Sequence, residues 1–124
     1  MDMEDKEIAR LLGLLRIAAG AALFLTPRLA GRSWTGERTE SPTADLALRG
    51  MGARDIALGA GLVIAIERDA PVRGWLEAGV LSDAADAVGT LSQWGDLGTP
   101  RALFWLAAEL GAAWMGSQLA QSVD

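Results

Sequence analysis

The feature that most constrains the fold is a series of four apolar segments, each long enough to cross a bilayer as a helix. They cover residues 8–25, 42–66, 71–94 and 100–120. Each holds about 18 to 25 residues, the length that a helix needs to span the hydrocarbon core, whereas helices of soluble proteins average about 11 residues. Alanine, leucine and glycine dominate, and no alternating run of β-branched residues occurs. The pattern predicts an all-α protein.

Proline marks where these helices begin. Ser41-Pro42 and Thr99-Pro100 each place a capping residue before a proline at the first helical position, and Pro71 opens the third segment. After the first segment, residues 27–34 are predicted to form a short separate turn. Because 124 residues fill only one core, we expect a single domain over residues 1–124, folded as an antiparallel four-helix bundle in the membrane. The acidic start MDMEDKE is unlike a cleaved signal peptide, so the first segment is expected to be retained.

Composition excludes several classes of chemistry. The chain has no His, Cys or Tyr, which excludes Ser-His-Asp and Cys-His nucleophiles, disulfides and ordinary zinc sites. Its only lysine, Lys6, lies in the charged leader. With 11 basic and 16 acidic residues and no basic patch, no nucleic-acid partner is expected. The side chains that remain available for chemistry are carboxylates, arginines and tryptophans, and no cofactor is predicted.

Charges inside the apolar segments are the main signal of function. The second and third segments contain Arg49, Arg54, Asp55, Glu77, Asp83 and Asp86. On insertion scales, placing one charged residue at the centre of a transmembrane helix costs roughly 2.5 to 3.5 kcal/mol. These segments therefore suit a membrane only if the charges pair or line a water-filled cavity. Basic residues are balanced between the two ends of the segments, so no orientation is predicted.

Two stretches of the chain, LALRGMGARDIALGAGL and GWLEAGVLSDAADAVGTL, resemble a family of uncharacterised small integral membrane proteins. The family pattern is a first helix with an arginine, a small-residue run and a proline, then a GxRDxALG helix, then an AGxxxDxxDA helix. The matching residues are Arg16, Pro27, Gly52, Arg54, Asp55, Ala57, Leu58, Gly59, Ala78, Gly79, Asp83, Asp86 and Ala87. The resemblance covers all but the leader and tail. It implies a four-helix membrane protein. Since the family is a domain of unknown function, the resemblance implies nothing about activity.

The carboxylates and arginines suggest acid–base chemistry. Asp83 and Asp86 are three residues apart and share a helix face, and Arg54 beside Asp55 offers the complementary charge. One carboxyl could act as acid while Arg54 keeps another ionised, an arrangement suited to opening an epoxide, moving a double bond or cyclising a lipophilic substrate. Arg54, Asp55, Asp83 and Asp86 are therefore the candidate catalytic residues. The alternative is a structural ion-pair network that fixes helix register.

Other polar and aromatic residues complete the candidate site. Arg16, Arg49, Glu77, Trp105 and Glu109 are the candidate substrate-binding residues. Trp105 and Trp114 could line an apolar pocket, although core packing is favoured. The carboxylates Asp55, Asp83, Asp86 and Glu109 offer the oxygen ligands that Mg²⁺ prefers, but the neighbouring arginines argue against it, and no metal is predicted.

The expected partners are membrane lipid and a small lipophilic molecule. Small residues four apart, at Ala108, Ala112, Gly116 and Ala120 and at the pairs Ala57/Gly61 and Ala85/Gly89, would let helices approach closely and favour homo-oligomers. Two alternatives to an enzyme stay open: a non-catalytic membrane binding, carrier or assembly subunit, and a soluble helical bundle with an apolar ligand pocket.

Overall fold

The computed structural model describes residues 1–38 and 40–123, so Thr39 and Asp124 of the predicted domain lie outside it. Over that range the chain forms six helices and no strand. They are α1 (Met3–Leu25), α2 (Pro27–Thr35), α3 (Pro42–Glu67), α4 (Arg73–Ser92), α5 (Trp94–Leu97) and α6 (Thr99–Gln121). The prediction of an all-α protein is confirmed. Helices α1, α3, α4 and α6 overlap the four predicted segments, α2 replaces the predicted turn, and α5 was not predicted.

Capping explains where the long helices begin. Ser41 Oγ accepts a hydrogen bond from the Ala44 amide at 3.1 Å, as its position before Pro42 predicts. Asp2 Oδ1 accepts from the Asp5 amide at 2.7 Å, so α1 begins five residues before the predicted start. The predicted cap at Thr99 is wrong: Thr99 already lies inside α6, and its hydroxyl accepts a hydrogen bond from Trp94 Nε1 at 3.1 Å.

Helices α1 and α3 form one antiparallel pair through glycines that face each other. Gly13 lies opposite Gly59, and Gly20 lies opposite Gly52. A Cβ at any of these positions would run into the facing helix, because each glycine lies against a backbone carbonyl of its partner. Since both helices repeat glycine at a seven-residue spacing, their backbones approach closely over two turns.

Helices α4 and α6 form the second antiparallel pair. Gly116 of α6 lies against Val80 of α4, and Thr90 near the end of α4 contacts Glu109. Of the predicted small residues, Gly116 therefore lies at a helix contact, whereas a Cβ at Gly89 would meet open space. The α1–α3 pair meets the α4–α6 pair mainly through α3 and α4, where Gly61 lies under the Trp75 ring.

A cluster of buried apolar side chains lies at one end of the molecule. Its buried side chains come from the start of α1, the end of α3, the start of α4 and the end of α6: Ala9, Leu62, Ile66, Leu76, Leu119, Ala120 and Val123. Towards the opposite end, α1 and α6 diverge and α2 lies between them. This apolar cluster therefore lies at the end that holds both chain termini, and the space between α1 and α6 opens towards the other end.

The outer surface of the long helices is apolar. Exposed large hydrophobic side chains include Leu11, Leu14, Leu46, Ile64, Leu81, Val88, Leu103, Phe104, Leu110 and Trp114. They lie on all four long helices. Of the helices that the structure describes, α1 is the one that is long and apolar enough to cross a membrane by itself.

Adding a methyl group at a glycine contact should weaken the α1–α3 pair. Gly52→Ala is expected to lower the free energy of unfolding by about 1–3 kcal/mol, because its Cβ would overlap the backbone of α1, which cannot move aside as a side chain can. Gly89→Ala, the matched control in open space, should raise it by about 0.5–1 kcal/mol through helix propensity. Denaturant unfolding in detergent micelles measures both; equal effects of the two variants would contradict the contact.

Candidate functional site

A cavity of about 630 Å³ lies between α1 and α6, in the size range of small-molecule sites. Apolar side chains from α1, α2 and α6 form most of its wall: Leu12, Leu15, Ala19, Ala22, Leu23, Leu29, Ala30, Trp34, Trp105, Ala108 and Ala112. Ionisable side chains also line it: Arg16, Asp55, Asp83, Asp86 and Glu109. The structure thus brings six of the nine candidate site residues to one cavity, these five and Trp105. Arg54, a candidate catalytic residue, does not line it.

The first ion pair joins α1 to α4. Arg16 Nη1 donates to Asp83 Oδ1 at 3.0 Å, and Arg16 Nη2 donates to Asp83 Oδ2, so the contact is bidentate. Each side chain is only 10% exposed. Gly79, one turn before Asp83, gives the guanidinium room, since a Cβ there would lie 2.9 Å from Arg16 Nη2. Bidentate arginine–carboxylate geometry is the strongest form of such a pair.

The second ion pair joins α3 to α4. Arg54 donates to Asp86 through Nη1 at 3.2 Å and Nη2 at 2.8 Å, and the same Nη2 lies 3.4 Å from Asp55 Oδ1. One guanidinium is therefore shared by two carboxylates. Because both bidentate pairs connect the α1–α3 pair to the α4–α6 pair, they fasten the two halves of the molecule beside the cavity.

Glu109 differs from the three aspartates. It is buried on α6, with 8% of the residue exposed, and both of its carboxyl oxygens lie within hydrogen-bond distance of one hydroxyl, Thr90 Oγ1, at 2.8 and 2.9 Å. Over residues 1–38 and 40–123 no lysine or arginine pairs with it. Within the described residues, Glu109 is thus a cavity carboxyl group without a neighbouring cation.

Helix α2 closes one end of the cavity and is fastened to α6. Trp105 Nε1 donates to the Trp34 carbonyl at 3.0 Å, and Arg101 Nη1 donates to the Ser33 carbonyl at 2.9 Å. The Trp34 and Trp105 rings lie 5.8 Å apart. Arg101 and Trp105 therefore satisfy carbonyls at the end of α2 that the helix itself leaves free.

Three sequence-based expectations need correction. Arg49 is exposed and lies over the Phe24 ring at 5.7 Å, and Glu77 is exposed near the start of α4, so neither lines the cavity. Both lie in the first half of their helices on an exposed face, where a long charged side chain reaches solvent. Trp114 is 66% exposed, so the expectation that it packs in the core is wrong.

Sequence reasoning missed Thr90 and Trp34. Thr90 follows Asp83 and Asp86 at helical spacings of seven and four residues, so the period of the helix places it on the same face and could have identified it. Trp34 lay in a predicted turn, and no pattern in the sequence indicated that its backbone and ring would meet α6.

The carboxylates do not form a metal-binding group. Within the described ranges no three acidic side chains are placed so that they could hold one ion together. Asp83 and Asp86, two of the four oxygen donors considered above for Mg²⁺, direct both carboxyl oxygens at arginines instead. Their arrangement is that of ion pairs.

Comparison with protein-family models, with curated proteins and with solved structures gives no match to this chain. The resemblance to the family with the GxRDxALG helix therefore stays a prediction. The chemistry of the cavity follows from its own residues.

Proposed function

We propose that this chain is an integral membrane protein that binds a small lipophilic molecule in the cavity between α1 and α6. The observation that carries the proposal is the cavity itself, with apolar walls from three helices and ionisable groups at one side. Apolar walls with a few convergent polar groups are typical of small-molecule sites.

The distribution of polarity supports a membrane location. Large apolar side chains are exposed on all four long helices, while Arg16, Asp83 and Asp86 point inward and form ion pairs. A soluble bundle has the reverse arrangement, because its apolar faces are buried and its charges face water. In a bilayer the pairing offsets part of the cost of burying Arg16, Arg54 and their partners.

The cavity is open to the side, which suits a ligand that arrives through lipid. Leu15 and Leu29 line it and are 59% and 66% exposed, so part of its wall is also outer surface. A lipophilic molecule dissolved in the bilayer could enter between α1 and α6 without crossing the ion pairs.

Filling the cavity should abolish ligand binding. The neutral fluorescent probe 1-aminoanthracene is expected to bind the protein in nanodiscs, and Ala112→Trp to weaken this binding by at least about tenfold, because the indole would occupy the cavity. Ala107→Trp, on the exposed side of α6 and outside the cavity, is the matched control. Equal binding by both variants would place the probe elsewhere and contradict the proposal.

Fractionation tests the membrane location separately. The protein is expected to sediment with membranes, to resist extraction by carbonate and to require detergent for dispersal, because its exposed apolar side chains would aggregate in water. A monodisperse species in detergent-free buffer would contradict this location and favour a soluble bundle with an apolar pocket.

A second candidate function, a cofactor-free acid–base enzyme, is favoured by Glu109. Asp83 and Asp86 are each held by two hydrogen bonds from an arginine, whereas Glu109 lines the cavity beside a single hydroxyl. Glu109 is therefore the group we would assign to proton transfer in an isomerase, cyclase or epoxide-opening reaction. Deuterium incorporation into lipophilic olefins incubated in heavy water would detect turnover, and Glu109→Gln should lower its rate by about 10²–10⁴-fold.

A further inference from the structure

We propose that the cavity selects lipophilic cations, such as amines with an apolar body, over neutral or anionic molecules of the same shape. This inference rests on the proposed binding function and names the ligand class. Three independent features carry it: the balance of charge around the cavity, the hydrogen bonding of Glu109, and the two tryptophans in its wall.

The charges around the cavity do not balance. Four carboxyl groups, those of Asp55, Asp83, Asp86 and Glu109, line the cavity, together with one guanidinium, that of Arg16. Arg54 does not line the cavity, but its guanidinium contacts two of these carboxyl groups, Asp55 and Asp86. Arg16 is taken up by Asp83, and Arg54 is shared by Asp86 and Asp55. The described part of the cavity thus carries two carboxyl groups beyond those that the two arginines neutralise. In surroundings of low dielectric, such an excess attracts a cation strongly.

The hydrogen bonds of Glu109 leave room for a donor from the ligand. Thr90 has one hydroxyl proton, so it can serve only one of the two Glu109 oxygens at a time. An ammonium group of a ligand could donate to the other oxygen. An anionic group would find no uncompensated cation there, because the charge of Arg16 is already paired with that of Asp83.

The aromatic wall lies on the same side as Glu109. Trp105 is one helical turn before Glu109 on α6. The centroids of the Trp34 and Trp105 rings lie 5.8 Å apart, and both side chains line the cavity. Tryptophan faces attract cations through the ring quadrupole. A cation with an apolar body would therefore meet a carboxylate and two indoles at one place.

Two ions of equal shape and opposite charge test the inference. Tritiated tetraphenylphosphonium is expected to bind saturably to the protein in nanodiscs, with binding to protein-free discs subtracted. Tetraphenylborate is expected to compete at least about tenfold more weakly than unlabelled tetraphenylphosphonium. Glu109→Gln, which keeps a polar group beside Thr90, should weaken cation binding by about tenfold or more, because it removes a negative charge that attracts the cation. Glu77→Gln removes an equal charge from the exposed start of α4 and should bind as the parent does.

The outcomes separate the inference from the function on which it rests. Saturable cation binding that Glu109→Gln weakens and Glu77→Gln does not would support it. If 1-aminoanthracene binds but the cation does not, or if both ions bind equally, cation selection is overturned and the binding function stands. If neither the neutral probe nor the cation binds, both proposals fail.

Discussion

Asp83→Leu is expected to lower the free energy of unfolding by about 3–5 kcal/mol, because it leaves the Arg16 guanidinium buried between α1 and α4 without its carboxylate. Only 10% of the Arg16 side chain is exposed, so solvent compensates poorly for the two lost hydrogen bonds. Denaturant unfolding in mixed micelles, followed by tryptophan fluorescence, measures the loss.

The double variant Arg16→Met/Asp83→Leu is the control for this prediction. It removes the whole pair and leaves an apolar contact, so it should recover most of the lost stability. A single-variant loss below about 1 kcal/mol would mean that solvent reaches Arg16 and that the pair is not buried as described. If the folded double variant still binds 1-aminoanthracene, the pair fixes helix register; if binding is lost, the pair belongs to the ligand site.

The four long helices could be predicted because the length of an apolar segment and the capping residues and prolines at its ends are local properties of the sequence. Ser41 and Pro42 define the start of α3, and the structure begins it at Pro42. The start of α1 was missed because its cap, Asp2, lies in a charged leader without hydrophobic periodicity. Helix α5, over Trp94–Leu97, is too short to produce any pattern, and its sequence WGDL reads equally well as a loop.

The sequence could predict that the charges in the apolar segments pair, but not which arginine pairs with which aspartate. A charge in the middle of an apolar segment needs a partner, and Arg16, Arg54, Asp83 and Asp86 do meet. Which arginine meets which aspartate depends on how the helices are placed lengthwise. The contacts of Gly13 with Gly59 and of Gly20 with Gly52 place α1 relative to α3. They therefore fix the relative position of Arg16 and Arg54, but the position of α4, which carries both aspartates, depends on further contacts. The cavity was also beyond sequence reasoning, because it forms where helices fail to touch.

Arg54→Met is expected to be as damaging as the loss of Asp83, although for a different reason. It leaves Asp55 and Asp86 without a cation beside Glu109, so three unmatched carboxyl groups would border the cavity. We expect the free energy of unfolding to fall by about 3–5 kcal/mol. Because Arg54 is 34% exposed, removal of Asp86 alone should cost less: Arg54 keeps Asp55 and reaches the surface.

The stability of a double variant and a distance between α1 and α6 together distinguish electrostatic from packing effects of Arg54→Met. Arg54→Met/Asp86→Leu removes one carboxylate with the arginine and should regain more than half of the loss, whereas a defect in packing alone would remain. Since the natural chain contains no cysteine, spin labels on cysteines introduced at Leu11 and Leu110, both exposed, report the separation of α1 and α6 without background. In Arg54→Met, repulsion among the unmatched carboxyl groups should lengthen that distance. In the double variant, which has one carboxyl group fewer, the distance should return towards that of the parent. An unchanged distance in both would show that α3 and α4 hold the two halves together without this ion pair.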